Sequence, residues 1–187
     1  MNDPLGKWLA DWRIRTVLPH VRGRLLDVGC GANRLVRQYG NGVGVDVFNW
    51  GDVDVVVDDT AKLPFDDGTF DSATIIAALN HIPNRLDVLR EIRRVLRPDG
   101  RLILTMIPPR ISSVWHVLRR PWDDDQKERG MKEGEVYGLS RRQVEALLRE
   151  AGFKVHLSRT FMLGINRLTV ATLPAASTAR ASASVPA

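Results

Sequence analysis

The sequence predicts one α/β domain built on an open, mostly parallel sheet. Short apolar runs alternate with helical periodicities along most of the 187 residues, a pattern typical of chains whose parallel strands are connected by helices. The first clear run, Leu25–Val28, passes directly into a glycine-containing turn and then into a helical stretch. Because ligands of open α/β sheets bind where strands end, this turn is the first candidate for a functional site.

Residues Arg24–Asn33, read as RLLDVGCGAN, form the stretch around which the domain is organised. Gly29 and Gly31 carry no Cβ, so a ligand can approach their backbone closely. The helix that follows begins with free amide donors. Asp27 places a negative charge at the end of the strand, where it would repel a pyrophosphate. The turn is therefore predicted to hold a zwitterionic ligand.

The composition predicts a single cytoplasmic domain, which we expect to span residues 1–173. The hydrophobic content of 44% is sufficient for one core, and no apolar run reaches the roughly 18 to 20 residues that a membrane span requires. The single cysteine, Cys30, excludes an internal disulfide and fits a reducing compartment. The net charge of +5 permits an anionic partner, although an arginine bias alone also explains it.

Residues Asp3–Leu18 are predicted to form an amphipathic helix within an N-terminal segment, 1–20. Asp3 is a suitable N-cap and Pro4 a suitable first helical residue. Four apolar residues recur with helical spacing on one face: Leu5, Trp8, Leu9 and Trp12. We expect this face to pack on the domain. The alternative is a lid, or a helix that contacts a membrane surface through its tryptophans and basic residues.

The next two predicted strands each have an acid at or just after their end. Gly42–Val47 is the second strand, and Asp46 near its end lies 19 residues after Asp27. An acid at that distance beyond a glycine turn can accept both hydroxyls of a ribose. Asp52–Asp58 is predicted as a third strand, with Asp59 directly after it. Each acid taken alone is also compatible with a helix cap or a solvated turn.

The same alternation continues towards the C-terminus. Further strands are predicted at Phe70–Ala78, Arg101–Ile107, Phe153–Arg159 and Arg167–Leu173, and a helix is predicted at Pro83–Leu96. Ser140 and Gln143 form a capping-box pattern, which predicts a further helix that ends at Gly152. Residues 108–138 are irregular and are interpreted as a lid or substrate region. Residues 174–187 have almost nothing to bury and are interpreted as a disordered tail.

Four segments resemble, in order and spacing, the class I S-adenosylmethionine-dependent methyltransferases, in particular the type 11 and ubiquinone-biosynthesis group. These segments are LLDVGCG, GVDV, DDTAKLPFDDGTFD and LNHIPNRLDVLREIRRVLRPDGRLIL. The resemblance covers about residues 24–107. It implies a Rossmann-like, seven-stranded, mostly parallel sheet with flanking helices and an antiparallel last strand, and it implies S-adenosyl-L-methionine as the cofactor.

The resemblance also implies roles for individual residues. Asp27 and the glycine turn would hold the methionine end of the cofactor, Asp46 the ribose, and Asp59 the adenine amino group. The complete set of predicted cofactor-binding residues is Asp27, Gly29, Cys30, Gly31, Asn33, Asp46, Val47, Asp59 and Thr60. Asn33 stands where the family usually has a third glycine, and asparagine tolerates the left-handed backbone that such a turn requires.

We expect a methyltransferase whose acceptor is a small or lipid-linked molecule, with O-, C- or N-methylation undetermined. In-line methyl transfer requires mainly alignment, and a base only if the acceptor must lose a proton. His81, which follows the fourth strand, is the first candidate for a polar group beside the transferred methyl; it could equally fix the loop. The acceptor and the oligomeric state cannot be inferred from the sequence.

Three other functions are compatible with parts of the sequence. The basic charge suggests a nucleic-acid methyltransferase, but Ala78–His81 lacks the Asn/Asp-Pro-Pro-aromatic tetrad of the amino-methylating enzymes, so nucleic acid is not the expected partner. A non-catalytic, cofactor-binding regulatory module is the second alternative. A nicotinamide-dependent dehydrogenase is the third, and Asp27 fits it poorly. Asp123, Asp124 and Asp125 could hold a divalent metal, but we interpret them as a solvated acidic loop and predict no metal.

Overall fold

Seven strands form one sheet in the computed structural model, which describes residues 4–109, 136 and 138–174. The strands are β1 (Leu25–Val28), β2 (Gly42–Asp46), β3 (Val55–Val56), β4 (Phe70–Ile76), β5 (Leu96–Met106), β6 (Lys154–Phe161) and β7 (Asn166–Thr172). The α-helices described are α1 (Pro4–Val17), α2 (Arg34–Tyr39), α3 (Arg85–Val95) and α4 (Arg141–Glu150), and short 3-10 helices cover Leu18–His20 and Leu79–His81.

The strand order is β3-β2-β1-β4-β5-β7-β6. Strands β1 to β5 run parallel to one another, whereas β7 runs antiparallel to both of its neighbours, β5 and β6. We call the end of the sheet at which β1 to β5 finish the carboxyl end, and the opposite one the amino end. This topology confirms the seven-stranded, mostly parallel sheet with an antiparallel last strand.

Apolar side chains cover both faces of the sheet. Helices α3 and α4 pack on one face through Val88, Leu89, Ile92, Val95, Val144 and Leu148. Helices α1 and α2 pack on the other through Ile14, Val17, Leu35 and Val36. Coverage on both sides explains why nearly every residue of β1 and β4 is at least partly buried, instead of every second one.

Helix α1 packs on the domain, as expected, but its buried face agrees only in part with the predicted stripe. Leu9 of that stripe is buried, and Ile14 and Val17, which were not included in it, enter the core. Trp8 is instead 53% exposed and contacts Trp12 edge to face, with 4.9 Å between ring centroids. The two tryptophans therefore lie at the rim of the helix contact. The predicted N-cap Asp3 lies outside the described residues.

Several strand boundaries differ from those predicted, and three of the differences have a visible structural cause. The third strand is reduced to Val55–Val56 because the Asp54 carboxylate, instead of the strand backbone, accepts from the Gly44 N–H at 2.8 Å. Strand β4 stops at Ile76 because Ala77 has a left-handed φ of 52°. Strand β5 begins before the predicted Pro98–Gly100 break, which forms a bulge between two segments paired with β4.

The capping box of α4 is confirmed. Ser140 Oγ accepts from the Gln143 N–H at 3.3 Å, and Gln143 Oε1 accepts from the Ser140 N–H at 2.8 Å.

Within the described residues, no helix is long and apolar enough to cross a membrane.

Removing the cap of α4 is expected to destabilise the domain modestly. Ser140→Ala leaves the Gln143 N–H without its side-chain acceptor, so we expect the free energy of unfolding to fall by about 1 kcal/mol in urea denaturation. Ser140→Thr retains the hydroxyl and serves as the control. Equal losses in both variants would contradict a capping role.

Candidate functional site

A pocket of about 230 Å³ opens at the carboxyl end of the sheet, where β1, β2 and β4 finish. Its lining residues are Gly29, Gly31, Asp46, Val47, Trp50, Thr60, Ile76, Ala77, Ala78, His81 and Ile82. Six of the residues predicted from the sequence thus lie together: Gly29, Gly31, Asp46, Val47, Thr60 and His81. The topology brings them together because parallel strands present their ends side by side.

Asp46 is the acid at the centre of this pocket. Its side chain is buried, and its Oδ2 accepts from the Gly31 N–H at 2.9 Å while its Oδ1 accepts from the Phe48 N–H at 3.2 Å. A carboxylate offers about four acceptor positions. Asp46 therefore fixes the glycine turn and can still accept from two further donors, such as the two hydroxyls of a ribose.

Asp27 lies behind the glycine turn and does not line the pocket. Its side chain is buried, and Thr74 Oγ1 donates to its Oδ1 at 2.6 Å. Burial raises the pKa of Asp27 to about 7; the Thr74 hydrogen bond opposes this rise, and the nearby Asp46 charge adds to it. A buried acid that titrates near neutrality favours a cationic ligand group, because such a group stabilises its ionised form.

Gly29 marks a close approach between two segments of the backbone. Its φ is +69°, its N–H donates to Val45 O at 2.8 Å, and a Cβ placed on it would lie 2.7 Å from the Cβ of Ala78. Gly31 also has a positive φ, +54°, but a Cβ there would meet no atom within 4 Å. The first glycine is therefore required by both backbone angle and space, the second by backbone angle alone.

This difference predicts unequal costs for the two alanine substitutions. Gly29→Ala and Gly31→Ala both force a left-handed alanine, at a cost of about 1 to 2 kcal/mol. Only Gly29→Ala also compresses the contact with Ala78. We expect its free energy of unfolding, measured in urea, to be lower than that of Gly31→Ala by about 1 to 3 kcal/mol. Equal values would show that Ala78 moves away without cost.

Asn33 and Cys30 were predicted to contact the cofactor, but neither lines the pocket. Asn33 has a left-handed φ of 53°, and its amide donates to Asp54 Oδ2 at 2.8 Å and to Asp52 O at 3.0 Å. It thus supports the turn from the side of β3. Burial raises the pKa of the Cys30 thiol to about 12, with the nearby carboxylates adding to the effect, so the thiol is a poor nucleophile.

Asp59 and Thr60 follow β3. Thr60 is buried and lines the pocket, whereas Asp59 does not. Asp59 Oδ1 accepts from the Ala61 N–H at 2.8 Å and from Asn84 Nδ2 at 3.1 Å. These two hydrogen bonds lower the pKa of Asp59, and the one from Ala61 has the larger effect. The structure thus holds Asp59 as an ionised acid beside the pocket wall.

His81 is the last residue of the 3-10 helix after β4, and its N–H donates to Ala78 O at 2.9 Å. It lines the pocket together with Ile82. The preceding Ala77 has a left-handed backbone, held by Thr105, whose main-chain O and Oγ1 both accept from the Ala77 N–H at 3.1 Å. Such strain in a non-glycine residue is common at ligand sites.

Trp50 is a pocket residue that sequence reasoning missed. It follows β2 in a loop, is 38% exposed, and packs edge to face on Phe48 with ring centroids 4.7 Å apart. The signal was present as two aromatic residues within four positions of Asp46.

Among the residues that the structure describes, no group of three or more potential ligands could hold a metal ion. Asp123, Asp124 and Asp125 lie outside those residues.

Residues 26–104 match the family model described as "Methyltransferase domain". The chain is 34% identical over 130 residues to the ubiquinone/menaquinone biosynthesis C-methyltransferase UbiE of Pseudomonas savastanoi pv. phaseolicola, covering 56% of this chain and 51% of that protein. It is 38% identical over 74 residues to the sterol 4-C-methyltransferase strm-1 of Caenorhabditis elegans, covering 40% and 20%. The chain thus spans about half the length of the UbiE relatives that it matches.

The fold is similar to that of solved methyltransferases. A SAM-dependent methyltransferase of Thermotoga maritima superposes with a TM-score of 0.64 at 18% identity, covering 87% of this chain and 88% of that one. At that identity the likeness concerns the fold alone. The family model, the curated relatives and the structure with a similar fold are therefore all methyltransferases.

Proposed function

We propose that this chain, which belongs to the class I S-adenosylmethionine-dependent methyltransferase family, transfers a methyl group from S-adenosylmethionine to a small-molecule acceptor. The observation that carries the proposal is the convergence of the glycine turn, Asp46 and His81 on one pocket at the carboxyl end of the sheet. The glycine turn leaves backbone open to this pocket and Asp46 retains acceptor capacity there, which supports a ligand between them.

The residues present fit the cofactor. Asp46 is held by two backbone donors and retains acceptor capacity for ribose hydroxyls. Gly29 and Gly31 carry no side chains, so a ligand can contact the backbone of the turn at these two positions. Asp27 lies buried behind that turn and would favour the ammonium group of the methionine end. Val47 and Thr60 line the same pocket and are proposed to contact the adenosine part, and Asp59 is proposed as a partner of the adenine amino group.

The protein contributes mainly alignment and exclusion of water. S-adenosylmethionine, when bound, supplies an electrophilic methyl on a sulfonium whose positive charge disperses during transfer. Asp27 and Asp46 would orient the cofactor, and Ile76, Ala78 and Ile82 supply apolar pocket wall around the reacting atoms. His81 would contact the acceptor and accept a proton where the acceptor must lose one.

The acceptor we propose is an apolar small molecule, including a lipid-linked one. Val47, Phe48 and Trp50 are all more than a third exposed and lie at or beside the pocket, which suits an apolar acceptor better than a strongly charged one. The names of two relatives, a quinone-pathway enzyme and a sterol enzyme, agree with this class. Both relatives are named as C-methyltransferases, and the position of a transferred label identifies the atom that this chain methylates.

The first experiment is calorimetric titration of the full chain with S-adenosylmethionine and S-adenosylhomocysteine. We expect saturable one-to-one binding of both in the micromolar range. Methyl-labelled S-adenosylmethionine is then supplied with demethylated quinols, sterols and simple phenols, and transfer of label is followed. Absence of binding by either compound would overturn the proposal.

His81→Gln separates binding from transfer. Glutamine keeps a polar side chain but cannot act as a base near neutral pH. We therefore expect cofactor affinity to stay within about twofold and transfer to a proton-losing acceptor to fall by about a hundredfold. His20→Gln, in the 3-10 helix before β1 and outside the pocket lining, is the matched control. If His81→Gln transfers label as fast as the control, the proposed role of His81 is wrong.

A further inference from the structure

We propose that the amino end of the sheet carries a second ligand site, which binds the phosphate group of a small phosphorylated molecule. The site is an open cleft of about 650 Å³. Its polar lining comes from Arg22, Asp99, Arg101, Lys154, His156 and Thr172. It lies at the opposite end of the strands from the pocket that contains Asp46, so the two sites do not share residues.

Three side chains of this cleft are aligned by strand register. Arg101 on β5 lies directly opposite Thr172 on β7, and Thr172 lies directly opposite Lys154 on β6. Residues that are opposite one another in antiparallel strands project from the same face. The guanidinium, hydroxyl and ammonium groups therefore form a row across three neighbouring strands.

A β-bulge adds an imidazole to this row. The regular pairing of β6 with β7 is interrupted between Val155 and Leu157, which leaves His156 as the extra residue. His156 Nε2 lies 2.6 Å from Thr172 Oγ1. With the proton placed on Nε2, His156 donates to Thr172, and the Thr172 hydroxyl proton is available to a ligand. Bulges commonly re-aim a side chain in this way.

Arg22 reaches the cleft from the loop before β1. Its guanidinium donates to the main-chain O of Asp99 and also to Asp99 Oδ2, at 3.1 Å for the carboxylate contact. Asp99 is the one carboxylate in the lining, against the cations Arg22, Arg101 and Lys154. The cleft thus has an excess of positive charge, in line with the net charge of +5.

Donor capacity in the cleft is not used up within the described residues. Arg101 Nε is buried and has no hydrogen-bond partner there, and its NH1 makes only a long contact of 3.4 Å to His20 O. No salt bridge pairs Lys154 with a carboxylate in that part of the chain. Burial, followed by the charge of Arg22, lowers the pKa of Arg101. An anion in the cleft would give Lys154 a charged partner and would stabilise the charged form of Arg101.

A phosphate group matches this donor set better than a carboxylate does. It carries up to two negative charges and three free oxygens, so it can accept from a guanidinium, an ammonium and a hydroxyl at once. A carboxylate has two oxygens and a single charge, and would leave donors unused. The volume of the cleft admits a small molecule around the phosphate rather than the phosphate alone.

The test is calorimetric titration of the full chain with inorganic pyrophosphate at fixed ionic strength, with and without saturating S-adenosylhomocysteine. We expect saturable binding that S-adenosylhomocysteine does not displace. Lys154→Gln alters an exposed side chain and should weaken binding about tenfold, and Arg101→Gln should do the same. Arg142→Gln removes an exposed charge from the start of α4 and should have no effect.

Three results would overturn the proposal. The first is the absence of saturable pyrophosphate binding. The second is an equal loss in Lys154→Gln and Arg142→Gln, which would indicate a general charge effect. The third is that pyrophosphate does not bind, whereas an RNA oligonucleotide or phosphatidylglycerol vesicles bind to the wild type and bind more weakly to Lys154→Gln. The cleft would then be a contact for a macromolecule or a membrane.

Discussion

Asp27→Asn is expected to stabilise the fold at pH 8 and, in the same variant, to weaken cofactor binding. The pKa of Asp27 is raised by burial from 3.8 to about 7. At pH 8 the native protein therefore holds a buried negative charge that the unfolded chain exposes to water. Asparagine resembles the neutral acid and keeps an oxygen that can accept from Thr74 Oγ1. Removing the charge should raise the free energy of unfolding by about 2 to 4 kcal/mol.

The sign of the pH dependence follows from proton binding. Between about pH 4 and pH 7 the native state binds a proton at Asp27 that the unfolded state has released. The stabilisation is complete below the unfolded pKa and is lost as the pH rises through the folded value near 7. Wild-type stability should therefore decline from pH 5 to pH 8 relative to that of Asp27→Asn. Acids whose pKa is lowered, such as Asp71 and Glu91, are common to both proteins and cancel.

Urea denaturation at pH 5, 6, 7 and 8 measures this difference, and calorimetry at pH 8 measures binding. S-adenosylmethionine should bind at least about tenfold more weakly to Asp27→Asn, because its positively charged end loses an ionised partner. Asp66→Asn, at an exposed acid, is the control and should change neither quantity. A constant stability difference from pH 5 to pH 8 would contradict the raised pKa; unchanged affinity would contradict the proposed contact.

Much of the fold could be predicted because the strongest signals are local. The apolar runs around Leu25–Val28 and Phe70–Ile76, and the capping box at Ser140, each identify one element without reference to the rest of the chain. Strand boundaries were less predictable where side chains replace backbone pairing. Asp54 shortened the third strand in this way, and no periodicity in the sequence signals that substitution.

The candidate site was predictable where it follows a motif and not where it depends on register. Motif and spacing predicted Gly29, Gly31 and Asp46, which line one pocket, whereas Asn33 was predicted with them but lies outside that lining and donates to Asp54. The cleft lined by Arg22, Arg101 and Lys154 could not be predicted from the sequence. Arg101, Thr172 and Lys154 are far apart along the chain, and only the pairing of β5, β7 and β6 aligns them.

Asp46→Asn is expected to weaken binding of both S-adenosylmethionine and S-adenosylhomocysteine by about a hundredfold, or about 2.7 kcal/mol. Asp46 has two tasks: it accepts from the backbone of Gly31 and Phe48, and it is proposed to accept from the ribose. Asparagine has one acceptor oxygen, and its amide group would face one of those backbone donors. Both the turn and the ribose contact therefore suffer.

The comparison between the two ligands makes this test specific. Both carry the ribose, so Asp46→Asn should reduce both affinities by the same factor in calorimetry, whereas loss of a contact to the sulfonium would affect S-adenosylmethionine more. Asp66→Asn should leave both affinities unchanged. Thermal unfolding of each variant shows whether the turn has collapsed. A hundredfold loss of both affinities in a variant that still unfolds cooperatively would support the contact between Asp46 and the ribose; equal affinity in Asp46→Asn and wild type would remove Asp46 from the cofactor site.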